Sequence, residues 1–357
     1  MAAAKCSGIS AAFPPRVLIG WDTRYRDRGP ISAEGVELRR HHRERPTYRT
    51  VSSGMKSVTK GTPEQLAKEF ENFEEIARGV MPRPGSVPSL VGVDVYGKTL
   101  PLNGIVGGDH IIYVDFKKRH DLEARIKVAE EAGRPDIAAK LARCSKTAGV
   151  ALIDVSGHRA TDAMLAAMFH QAFLIGVLYE LDMFGHVTQR IFENLNQRFY
   201  RTSNVDKFIT AVYGEISEDA TFRFLLAGHP PPIVFSAEKD RFMEVDREKC
   251  IAFPPLGTIP SKSVVDWHRS KSVLGFKEPY ELNKWELMGS GDILLLYTDG
   301  LEEHMSGDNH YFPDRLEQTI RAAKQFSAKD IVRTVLDDLQ SFAKPADDVS
   351  IVVIKKI

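Results

Sequence analysis

Aspartates recur in four places where an apolar run meets a glycine or an acidic turn. They are Asp109 in Val106-Gly107-Gly108-Asp109, Asp154 in Ile153-Asp154-Val155-Ser156-Gly157-His158, Asp299 in Tyr297-Thr298-Asp299-Gly300, and the pair Asp347-Asp348 before Val349-Ser350-Ile351. Carboxylates at strand ends can converge on one side of a sheet. Two such charges about 4 Å apart cost on the order of 4 kcal/mol at an effective dielectric near 20, so a cluster needs cations or shifted pKa values. An all-oxygen carboxylate set favours hard ions such as Mg2+ and Mn2+, whereas zinc usually takes histidine or cysteine. Two such ions roughly 3.5–4 Å apart would lower the pKa of a shared water and clamp phosphoryl oxygens during in-line attack. The chemistry expected is phosphate ester hydrolysis without a covalent intermediate. Any one Asp-Gly taken alone is an ordinary turn, so the argument rests on the set. Structural calcium is the competing reading, but no DxDxDG loop with a glutamate at its twelfth position is present.

Strand-like runs at 90–96, 110–116, 150–155, 208–216, 221–226, 232–235, 293–297 and 349–354 are the elements that would position these residues. Helical patterns are expected at 160–181, 186–200, 313–325 and 328–342. Neighbouring strands followed by helix pairs predict an α+β layered domain rather than a doubly wound sheet. Between Asp109 and Asp154 lies a charged stretch, 119–146, in which Gly133-Arg134-Pro135 separates two short helices. It reads as an inserted αα-hairpin, with a solvated hairpin lacking any function as the alternative. Upstream, Thr62 as N-cap, Pro63 at the first helical position and Gln65 completing a capping box start a helix over 62–80. Leu66, Phe70, Phe73, Ala77 and Val80 give it one apolar face, suited to a linker, a dimer seam or a docking helix, and the prolines at 82 and 84 end it. Residues 1–60, rich in Arg, Ser, Gly and Pro, are expected to be a disordered or weakly ordered extension. The expected order is thus an extension (1–60), an amphipathic linker or regulatory helix (61–86) and a catalytic domain (87–357) carrying the helical insertion.

Composition narrows the class further. With 357 residues and 43% apolar side chains, the chain can bury one large core or two modest ones. Lys plus Arg and Asp plus Glu both total 48, so the whole-chain field offers nothing to a nucleic acid. Only three cysteines occur, none at metal-ligand or disulfide-framework spacing, which fits a reducing cytoplasm. The longest apolar stretch, 163–181, is interrupted by His170, Gln171 and Glu180 and reads as a buried helix, so no membrane partner is expected. No apolar segment near the N-terminus resembles a secretory signal.

Val-Gly-Gly-Asp at 106–109, Asp-Val-Ser-Gly-His at 154–158, Ala-Gly-His-Pro-Pro-Pro at 227–232, Gly-Asp-Ile-Leu-Leu-Leu-Tyr-Thr-Asp-Gly-Leu-Glu-Glu at 291–303 and Asp-Asp-Val-Ser at 347–350 occur in one order. Together they resemble the SpoIIE/RsbU-like branch of the PPM metal-dependent protein serine/threonine phosphatases, over about 104–354. The resemblance implies an αββα sandwich of two antiparallel sheets flanked by helices. It implies two Mn2+ or Mg2+ ions held by Asp109, Asp154, Asp299 and one of Asp347 and Asp348, of which Asp347 is favoured. The backbone carbonyl of Val155 is a further implied ligand. It also implies phosphoserine or phosphothreonine hydrolysis by a metal-activated water, with a phosphorylated STAS-domain anti-anti-sigma factor as substrate in a partner-switching pathway. His158 and His229 invite a general-acid role, although His229 in its proline-rich turn reads better as a turn cap. The chain departs from the family in the 45-residue interval between Asp109 and Asp154, in the register around Asp115 and in Arg159, which stands where the family has glycine. The insertion, flanked in sequence by two of the aspartates, is a candidate lid or partner-recognition element. The 62–80 helix is a candidate homodimer seam. Two rival functions share the fold: a catalytically weak phosphoprotein-binding regulator, and a phosphatase for small molecules.

Overall fold

Alternating side chains in the strands sort onto opposite faces, and that sorting builds four layers. The computed structural model describes residues 62–80, 87–102, 107–157, 160–202, 207–243, 250–263, 265–286 and 289–357. The expected 1–60 extension, the proline-rich end of the linker, His158 and Arg159 therefore lie outside the described residues. One sheet holds, in spatial order, β1 (Val93–Leu100), β13 (Val349–Lys356), β10 (Ile293–Tyr297), β6 (Ile233–Ser236) and β7 (Arg241–Phe242). The other holds β2 (His110–Asp115), β3 (Thr147–Val155), β4 (Ile209–Ser217), β5 (Thr221–Ala227) and β8 (Ala252–Phe253), with β9 (Asn283–Glu286) also paired to β5. Pairing is antiparallel except for the short β5–β8 contact. A small hairpin, β11 (Met305–Ser306) with β12 (Asn309–His310), stands apart.

Val95, Ile111, Leu152, Leu294, Leu296 and Val352 fill the space between the sheets. The outer face of the second sheet, through Ile112, Val114 and Ile153, packs on α4 (Pro135–Cys144), α5 (Ala160–Phe184) and α6 (Arg190–Thr202). The outer face of the first, through Leu295, Ile351 and Val353, packs on α8 (Asp314–Ala323) and α9 (Ala328–Phe342). This is the expected αββα sandwich. The short strands β7, β8 and β9 were not expected, because two to four residues give no readable alternation. Helix α6 begins at Arg190 rather than 186, where the Arg190 amide donates to Thr188 Oγ1 at 3.2 Å.

Helix α1 (Pro63–Val80) starts as its sequence requires, the Thr62 amide donating to Gln65 Oε1 at 2.9 Å and the Gln65 amide to Thr62 Oγ1 at 3.3 Å. It packs against α5, but only Ala77 is buried and Phe73 half-buried, leaving Leu66 and Phe70 exposed. Helix α5 places Phe169, Phe173, Val177 and Leu181 in the core, yet exposes Met164, Met168, Ile175, Leu178, Tyr179 and Met183 on its outer face.

After the short α2 (Phe116–Arg119), the insertion contains α3 (Leu122–Glu131) and α4, which form the expected hairpin. Its expected place beside the aspartates needs correction. Strand β2 runs away from Asp109 and β3 runs back towards Asp154, so the hairpin joins their opposite ends. Six residues of extended chain put Asp115 roughly 20 Å from Asp109. Asp115 itself caps α2, accepting the amides of Lys118 at 3.3 Å and Ser89 at 3.0 Å.

Phe173 is wholly buried and stacks near Phe169, Phe192 and Tyr213. Phe173→Ala is expected to destabilise the protein by about 3–5 kcal/mol in chemical denaturation, through a cavity between α5 and the second sheet.

Candidate active site

Register alone sets the first pair of aspartates side by side. His110 pairs with Ile153 across β2 and β3, so Asp109, one residue before, falls opposite Asp154, one residue after. From the other sheet, Tyr297 at the end of β10 pairs with Ile351 of β13, which brings Thr298-Asp299 alongside Asp347-Asp348 at the same end of the sandwich. Asp299 opens a single helical turn, α7 (Asp299–Glu302).

Thr298 joins the two sheets here. Its hydroxyl donates to Asp109 Oδ2 at 2.7 Å and accepts the Ser350 amide at 2.9 Å, and its own amide donates to the Ser350 carbonyl at 3.1 Å. Asp348, buried, accepts the amides of Leu102 at 2.6 Å and Gly108 at 2.8 Å, tying the segment before β2 to the first sheet. Asp347 is half-buried and accepts the Asp348 amide at 2.8 Å. A Cβ on Gly108 would lie 2.6 Å from the Val155 carbonyl and 2.4 Å from that of Gly157. Only glycine lets the two backbones approach so closely, with the Val155 carbonyl against the residue that precedes Asp109.

The electrostatics follow from crowding. Burial first, then the Asp154 and Asp348 charges, hold the Asp109 carboxyl well above the usual carboxylate range, against the opposing hydrogen bonds from Thr298 and Ser350. Asp154 is pushed up to about 8 by burial, then by Asp299, Asp347 and Asp348. Asp299 rises to about 6 through burial, Glu303 and Asp347. A bound cation would reverse these shifts, because it favours the ionised carboxylates.

The donor set, oxygen throughout, fits a hard divalent cation. Among the described residues, however, no three His, Cys, Asp or Glu side chains stand at the spacing of a closed metal cage. The carboxylates are near enough to shift one another's protonation, Asp154 and Asp109 being hydrogen-bonded to each other, and Asp348 is held by two backbone amides.

His229 is buried, its Nδ1 3.0 Å from Thr210 Oγ1, and burial lowers its pKa to about 3. Its contact is thus to β4 rather than to the turn that carries it. Two features escaped sequence reasoning. Thr298 is the cross-sheet strut, and its only signal was its place beside Asp299. The buried contact between His110 Nε2 and His170 Nδ1, at 2.6 Å, links α5 to the residue after Asp109 across 60 residues of chain with no local signal.

The fold is shared by solved structures of PPM-type phosphatases. The RsbU and RsbW domains of a Mycobacterium tuberculosis protein show 18% identity and a TM-score of 0.53, over 77% of this chain and 64% of that one. The SiaA PP2C domain of Pseudomonas aeruginosa shows 12% identity and a TM-score of 0.53, over 83% and 99%. The PP2C phosphatase domain of Bacillus subtilis SpoIIE, with a fragment of its regulatory domain, shows 14% identity and a TM-score of 0.50, over 74% and 63%. The chain thus spans less than two thirds of the first and third of these structures. At such identities the likeness is one of fold. The family model for stage II sporulation protein E (SpoIIE) matches residues 145–356, which include Asp154, Asp299, Asp347 and Asp348 but not Asp109. The chain belongs to the SpoIIE family, within the PPM-type protein serine/threonine phosphatases. Comparison with curated protein sequences gives no match.

The raised carboxyl pKa values carry a stability consequence. Between the ordinary carboxylate range and about 8, the folded protein without cations binds protons that the unfolded chain has released, so its stability falls as pH rises through that window. Thermal melts of EDTA-treated protein should give a lower Tm at about pH 8.5 than at about pH 6, and Asp154→Asn should shrink the difference.

Proposed function

We propose that this chain is a divalent-metal-dependent protein phosphatase that hydrolyses phosphoserine or phosphothreonine. The observation that carries the reading is the convergence of Asp109, Asp154, Asp299, Asp347 and Asp348 at one end of the sandwich, where burial and then neighbouring charges raise the proton affinities of the first three. Asp109, Asp154, Asp299, one of the final pair and the Val155 carbonyl would hold two Mn2+ or Mg2+ ions. Such ions supply an acidified water and draw charge from the phosphoryl oxygens. The protein's own part is positional. Thr298 fixes the Asp109 carboxylate, the Gly108 backbone brings it against the Val155 turn, and the first turn of α7 presents Asp299. Asp347, half-buried and felt by both Asp154 and Asp299, is the better placed of the final pair, since Asp348 already serves two amides.

The substrate we favour is a phosphorylated STAS-domain protein in a partner-switching pathway of the cytoplasm. The M. tuberculosis neighbour, in which RsbU and RsbW domains occur in one protein, supports that setting. The exposed apolar residues of α1 and of the outer face of α5 support a homodimer through the 62–80 helix. A catalytically weak phosphoprotein-binding regulator with the same fold is the second reading.

Purified protein should hydrolyse para-nitrophenyl phosphate with Mn2+ or Mg2+ and not with EDTA, and Asp299→Asn should lower kcat by at least about 100-fold while leaving the melting curve near wild type. A folded, Mn2+-loaded protein without turnover would move the assignment to the regulator, and faster turnover of small physiological phosphates than of phosphoproteins to a small-molecule phosphatase. Deleting residues 1–80 should convert dimer to monomer in light scattering, and an unchanged mass would remove α1 from the interface.

A further inference from the structure

Lys207 lies between α6 and β4, outside the carboxylate set, yet its side chain ends against the turn that carries Val155. Its Nζ donates to the Ser156 carbonyl at 2.7 Å and stands 2.7 Å from Oδ1 of Asp162, which is wholly buried in the first turn of α5. The next residue grips the same turn: the Phe208 amide donates to Ser156 Oγ at 3.1 Å, and the Ser156 amide to the Phe208 carbonyl at 3.0 Å. Gly157, at φ 112°, threads the remaining space, where a Cβ would come 2.7 Å from Asp162 Oδ2 and 2.8 Å from Lys207 Nζ. A cation, a buried acid and a backbone carbonyl are thus knotted together two residues beyond Asp154. The helix N-terminus favours the negative charge of Asp162, and the lysine keeps that buried charge paired.

We propose that Lys207, fixed by Asp162, is a positioning residue for the metal-carrying turn. By holding the Ser156 carbonyl it keeps the preceding Val155 carbonyl beside Asp109 and Asp154. Ordering this turn before cations arrive lowers the conformational cost of binding them. The inference rests on the two-ion reading of the site given above. A purely structural role for the pair, pinning α5 to the sheet, would change the melting temperature without changing cation affinity.

The test compares wild type, Lys207→Arg and the double variant Lys207→Gln with Asp162→Asn, which removes both charges and strands neither. Mn2+ affinity is measured by calorimetry, beside melting curves and kcat and KM for para-nitrophenyl phosphate. The double variant should melt near wild type, bind Mn2+ about tenfold more weakly and lose kcat with KM little changed, and Lys207→Arg should retain the affinity. Wild-type Mn2+ affinity in the double variant, or weakened affinity in Lys207→Arg equal to that of the double variant, would overturn the positioning role. Should the double variant not fold, Asp162→Asn alone is judged by the same affinity criterion. Failure of the wild type itself to bind Mn2+ would instead overturn the reading of the site.

Discussion

Repulsion among five carboxylates is the constraint around which the rest of the molecule is arranged. Water would screen these charges, but at the mouth of the sandwich they are half to fully buried, and burial together with the neighbouring charges raises the pKa of Asp109, Asp154 and Asp299. Local hydrogen bonds offset part of the cost, among them Thr298 to Asp109, the Asp348 amide to Asp347, and the amides of Leu102 and Gly108 to Asp348. Stability has to come from elsewhere. It comes from three apolar layers, one between the sheets and one beneath each helical coat, which fix strand register and with it the place of each aspartate.

Precision is delivered by short covalent paths. Asp109, Asp154 and Asp299 each lie within one or two residues of a paired strand end, and Asp348 directly precedes β13. A strand buried on both faces cannot slip by one residue without turning its whole apolar set outward, so the carboxylates inherit the rigidity of the core. Helix α5 adds two ties of another kind, Asp162 to Lys207 at its start and His170 to His110 one residue past Asp109. A helix bare on its outer face is thereby mechanically continuous with the strands that carry the acids.

The sequence made the long elements legible because they are long. α9 falls where periodicity put it, and the capping box of α1 forms as Thr62 and Gln65 require, whereas β1 lies at Val93–Leu100 rather than the expected 90–96. The aspartate set was legible because each member sits at a strand end, a position that local pattern reveals. What remained hidden is whatever depends on contact across the chain. Thr298 as a strut needs both sheets, and the His110–His170 and Asp162–Lys207 contacts span 60 and 45 residues. The insertion misled for a related reason. Its neighbours in sequence are two site residues, but strand direction carries it to the far end of the sheet, and direction cannot be read from adjacency along the chain.

That placement at the far end separates two kinds of sequence change. Loops at the acidic end cannot lengthen without moving a carboxylate, whereas the chain between β2 and β3 can grow or shrink with the strand ends held in register. At the bend between α3 and α4, Gly133 has φ 67° and open space where a Cβ would go. For protein engineering, this bend is a natural splice point, able to accept a reporter or an affinity module on the face of the molecule remote from the chemistry.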